Sequence, residues 1–114
     1  MKKEEFIQRI KDVEDDKSII TINLNKHNNS RFNLYAPVTK IEISGNDITI
    51  SNHNESDDFE PLTIKYLIEI LDKEKEAKIY FRFEIGVLAA FNRPVDKVTS
   101  IEEAGPVTFI HINN

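Results

Sequence analysis

The stretch that most constrains this chain is residues 61–91, where the apolar period changes from helical to two within a few positions. Across 61–73, Ile64, Leu67, Ile68 and Leu71 recur at helical spacing, and Tyr66 and Ile70 widen the stripe. Pro61 suits the first turn of such a helix, where its missing N–H leaves nothing unpaired. Across 78–85 the pattern alternates. Ile79, Phe81, Phe83 and Ile85 share one face, and Lys78, Tyr80, Arg82 and Glu84 the other. This spacing predicts a long helix lying on the strand that follows it. Each large apolar side chain it buries is worth about 1.5–3 kcal/mol, enough in sum to organise a domain.

Residues 2–13 predict an amphipathic helix with Phe6, Ile7, Ile10 and Val13 on its stripe, closed by the acids at 14–16. Residues 18–24 are β-branched and read as a strand with Ile20, Ile22 and Leu24 inward. After a polar loop at 25–30, residues 31–36 alternate through Phe32 and Leu34 and complete a hairpin that ends at Pro37. Gly45-Asn46 is a two-residue turn with glycine first, as type II′ requires, and it sets Ile41 against Ile50 and Ile43 against Ile48. Residues 86–91 fit either strand or buried helix. Ser100 and Glu103 have the spacing of a capping box, with Gly105 at the C-cap, so one helical turn is expected there before a last strand at 107–112.

The expected fold class is therefore α+β, a single domain of 114 residues. Its antiparallel or mixed sheet would have five to six strands, with two helices packed on one face.

Cysteine is absent, which removes disulfides, thiolate metal ligands and a cysteine nucleophile together. The charged Met-Lys-Lys-Glu-Glu-Phe start and the lack of a long apolar run predict a soluble, cytoplasmic protein with no membrane partner. The net charge is −5, and all of that excess falls within 53–76, where eight acids face three lysines. Such a surface repels nucleic acid, so no direct nucleic-acid binding is expected, and it attracts basic partners. Abundant Ile, Lys, Asn and Glu suit an AT-rich genome, that of a low-GC bacterium or its phages.

No chemical motif is legible. The three glycines never cluster into a phosphate loop, and His27, His53 and His111 sit in no nucleophile elbow. His53, Glu55, Asp57 and Asp58 form a cluster of hard ligands without EF-hand or zincin spacing, so no metal or cofactor is expected.

Two surface features remain. Glu55, Asp57, Asp58 and Glu60 precede the central helix, and Glu69, Asp72 and Glu76 fall opposite its apolar arc beside Lys65. Tyr80 and Arg82 lie on the polar face of the following strand, with Arg31 and Tyr35 expected on a neighbouring strand; Tyr and Arg are enriched at binding hot spots. The expectation is a small, acidic, non-enzymatic protein-binding chain whose partner presents a basic surface. In overall character, over the whole chain, it is similar to small phage-encoded inhibitors of host nucleases such as anti-CRISPR proteins. That likeness implies blockage of a nucleic-acid-binding groove and transfers no individual residue. The competing expectations are a small enzyme using the loop carboxylates or histidines, and a structural accessory subunit.

Overall fold

The computed structural model describes residues 1–24, 33–53, 60–85 and 89–113. Ten elements follow in order. These are α1 (Lys3–Ile10), β1 (Ser18–Leu24), β2 (Asn33–Pro37), β3 (Lys40–Ser44), β4 (Asp47–Ser51), α2 (Ile64–Lys73), β5 (Lys78–Ile85), β6 (Ala89–Pro94), β7 (Lys97–Ala104) and β8 (Val107–Asn113). The α+β class holds, but the strands divide into two four-stranded sheets, β2-β1-β8-β7 and β3-β4-β5-β6, in place of one sheet of five or six. The two share a pairing pattern. Each has antiparallel outer pairs and one parallel central pair, β1 with β8 and β4 with β5.

A single buried cluster joins the layers. Ile19, Ile110 and Ile112 enter it from the first sheet, Ile48, Ile50, Ile79, Phe81 and Phe83 from the second, and Phe6, Ile10, Ile64, Leu67 and Leu71 from the helices. The helices therefore fill a space that both sheets border. An internal void of about 10 Å³ at this junction is lined by Phe6, Ile19, Thr21, Ile50, Leu67 and Phe81 among others. That is room for one water at most, far below the several hundred Å³ of a ligand pocket.

Local chemistry explains the element ends. Thr63 caps α2, its Oγ1 accepting from the Tyr66 N–H at 3.2 Å, so Pro61 lies before the helix instead of in its first turn. At the other end Lys3, only 8% exposed, donates from Nζ to the Leu71 carbonyl at 2.9 Å and also to the Glu74 carbonyl. The Leu71 carbonyl also accepts from the Glu74 N–H at 3.3 Å, and the added cation complements the helix dipole. The β3–β4 hairpin has the register that its isoleucines require, Ile41↔Ile50 and Ile43↔Ile48. Gly45 has φ +58° and, among the described residues, no non-glycine has positive φ, which matches a type II′ turn.

Three further local expectations fail. Residues 100–103 belong to β7, not to a helical turn, because they pair continuously with β8, and Gly105 (φ +59°) opens the two-residue β7–β8 turn. In β1 the core face is Ile19 and Thr21. Ile22 is buried on the opposite face, and Ile20 there is half-exposed. A one-residue difference in register exchanges faces, and a Ser-Ile-Ile-Thr-Ile run offers apolar groups to both. Tyr66 stays 47% exposed, so α2's apolar arc is narrower than its sequence suggests. Residues 89–94 are strand, settling that part of the ambiguous 86–91 run; 86–88, the 25–30 loop, Arg31 and Phe32 lie outside the described residues. Among the described residues no helix is long and apolar enough to cross a membrane.

Candidate functional site

The alternation of β5 sends Ile79, Phe81 and Phe83 into the core and turns Tyr80, Arg82 and Glu84 outward, as its sequence predicts. Register places Tyr80 between Thr49 and Pro94, and Arg82 between Ser51 and Asn92. Just past β4, Asn52 continues the ladder with its side chain. Its Oδ1 accepts from the Glu84 N–H at 2.7 Å, and its Nδ2 donates to the Glu84 carbonyl at 2.9 Å. This two-point clamp fixes His53 above β5. The Thr39 hydroxyl donates to the His53 carbonyl at 2.5 Å, and Ser51 Oγ accepts from the His53 N–H at 2.8 Å.

The result is a compact polar constellation. His53 Nδ1 lies 2.8 Å from Glu84 Oε2 and 2.9 Å from Oε1, and Arg82 Nε lies 3.2 Å from Oε1. The hydrogen bond from His53 holds the Glu84 carboxyl below the usual carboxylate range. Partial burial opposes that shift, and Arg82 reinforces it. A carboxylate on Nδ1 fixes ring orientation and tautomer, the arrangement that prepares an imidazole for proton transfer. Ser51, however, is fully buried and engaged with the His53 backbone, so it is no nucleophile for that imidazole.

No protein-family model matches the chain, and neither curated proteins nor solved structures give a match. The site must therefore be judged on its own geometry.

The acidic candidates lie elsewhere. Glu60, Glu69, Asp72 and Glu76 are all exposed; Glu55, Asp57 and Asp58 lie outside the described residues. Helix α2 shares the core with Ile79 and Phe81, so it packs on the inner side of β5, and Tyr80 and Arg82 face the other way. The exposed acids of α2 and the Tyr80–Arg82 pair therefore do not share a surface. Tyr35 is not beside Tyr80 either. It stands on the first sheet with its ring edge-on to Phe109, centroids 6.2 Å apart. Among the described residues no three His, Asp or Glu side chains are grouped to hold a metal ion.

Sequence reasoning missed the His53–Glu84 pair. The residues are 31 positions apart, and only the parallel register of β4 and β5 unites them. The one legible signal was the place of Glu84 on the polar face of an alternating strand.

Proposed function

We propose that this chain is a small non-enzymatic binding protein, acting in the cytoplasm, that engages a protein partner through a basic surface on that partner. The observation that carries this reading is the solvent face of α2, where Tyr66 remains 47% exposed one turn from the exposed Glu69. Asp72 continues that face, and Glu60 and Glu76 flank the helix. A tyrosine left out of the core beside carboxylates combines a rigid apolar anchor with charge, the pairing that binding hot spots use. Lys65 and Lys73 offset the two helix acids, so most of the long-range attraction comes from Glu55, Asp57, Asp58 and Glu60 just before it. An inhibitor that occupies a nucleic-acid groove fits this chemistry.

Affinity measured against the purified partner across a salt series tests this. The acidic surface predicts steep weakening with salt, because exposed charges are screened over about 8 Å at physiological ionic strength. Salt-independent affinity would remove the reading.

One observation favours a second reading. The carboxylate-held His53 would serve as a general base in a small enzyme. His53→Gln separates the two, since it abolishes base catalysis and leaves the α2 surface intact.

A further inference from the structure

Edge strands expose unpaired N–H and C=O groups, and natural sheets blunt them with proline or bulges. Among the described residues, three of the four edges carry such a device. β2 ends in Pro37 and β6 in Pro94, and β7 has a register shift between Val98 and Ser100. β3 has neither. Its pairing with β4 runs unbroken from Lys40↔Ser51 to Ser44↔Asp47. Glu42, Ile43 and Ser44 are exposed, and Ile43 keeps 45% of its surface although it is apolar.

The hairpin geometry fixes which groups are open. In a two-residue hairpin the residues flanking the turn exchange ladder bonds, and alternate residues beyond them do the same. Ser44, Glu42 and Lys40 therefore bond towards β4, while Ile41 and Ile43 turn their main-chain groups to the open edge.

This edge is complementary to itself. Antiparallel pairing of two copies about a two-fold axis through Ile41 sets Ile41 against Ile41 on the core side. On the outer side it sets Lys40 of each copy against Glu42 of the other. These two side chains already share a face, with Lys40 Nζ 3.2 Å from Glu42 Oε1 within one strand. Opposite charges directly across an antiparallel pair are favourable, and like charges are not. A symmetric partner uses the same patch twice, so a single sequence supplies both halves of the match.

We propose that β3 is the dimer interface of this protein, pairing with β3 of a second copy so that two four-stranded sheets become one continuous sheet. The second copy is favoured over an unrelated strand because Lys40 and Glu42 would meet complementary charge at both positions. The register overlaps residues 40–42 of the two β3 strands and sets Ile43 against Thr39, whose N–H already bonds to the Ser51 carbonyl, so the contact buries less than a standard interface and the dissociation constant falls roughly between micromolar and millimolar. This inference does not depend on the binding role of α2, which lies on a different element.

Sedimentation equilibrium of the full chain tests it, using wild type, Lys40→Glu, Glu42→Lys and the double exchange. The wild type should dimerise reversibly with concentration. Each single substitution replaces two attractive pairs by two repulsive ones and should raise the dissociation constant about tenfold. The double exchange should return it close to wild type. If Lys40→Glu disturbs the fold, seen by circular dichroism, Glu42→Lys, whose side chain is exposed, reads the same pair alone. A wild type that stays monomeric to about 1 mM, single variants that dimerise equally well, or a double exchange that fails to restore association would each overturn the proposal.

Discussion

His53 Nδ1 and Glu84 Oε2 are 2.8 Å apart, joining the end of β4 to the outer face of β5. The contact closes the polar side of the second sheet, and it makes Glu84 a reporter of fold. Because the folded state holds this carboxyl below its ordinary value of 4.5, Glu84 contributes stability that is fully present above that pH. The contribution is lost as pH falls through the lower folded value. Carboxyl NMR titration should place Glu84 below its ordinary value, and His53→Ala should move it upward. A Glu84 titration unaffected by His53→Ala would show that the pair does not form in solution.

Gly45 and Gly105 hold φ of +58° and +59°, and an added Cβ would meet nothing within 4 Å at either. The cost of replacing them is therefore conformational, not steric. Gly45→Val and Gly105→Val should each lower stability by about 1–2 kcal/mol in urea melts. A variant as stable as wild type would remove the corresponding turn assignment.

The Thr108 hydroxyl is fully buried in β8 and has no hydrogen-bond partner among the described residues. Valine has nearly the same shape without that desolvated group. Thr108→Val should raise stability by about 1 kcal/mol, read from the denaturation midpoint. A loss of stability would mean that the hydroxyl is satisfied in solution.

Lys3 ties the start of α1 to the end of α2. Lys3→Met keeps the aliphatic stem but takes the ammonium from the Glu74 carbonyl and leaves the Leu71 carbonyl with the Glu74 N–H alone. It should cost about 1 kcal/mol or more. An unchanged midpoint would show that water replaces the ammonium without loss.

What the sequence reveals divides along physical lines. The β3–β4 hairpin is legible to the residue because a glycine-first turn and mirrored isoleucines specify register locally. α2 and β5 are legible because each has a strong apolar period. The two-sheet architecture is not, since it depends on β1 pairing in parallel with β8, from Ser18↔Val107 onward, and no local signal encodes that contact. β7 is misread for a related reason. Ser100 and Glu103 have helix-start spacing, but no apolar helical period supports it, and pairing with β8 decides the outcome. The inward turn of Thr21 follows from the same long-range register, which sets it beside Ile110.

The exposed positions of Glu69, Asp72 and Glu76 were legible, because they lie opposite a clear apolar arc. Their separation from Tyr80 and Arg82 was not, because it requires knowing on which side of β5 the helix packs.

Association kinetics with the purified partner test the binding proposal most directly, comparing wild type with Glu69→Lys/Asp72→Lys/Glu76→Lys at low and high salt. All three side chains are exposed, so each change should alter stability by no more than about 0.5 kcal/mol, with the melting temperature as control. The proposal predicts association slowed by about tenfold or more at low salt, with the difference shrinking as salt rises. A triple reversal that associates as fast as wild type at low salt would contradict it.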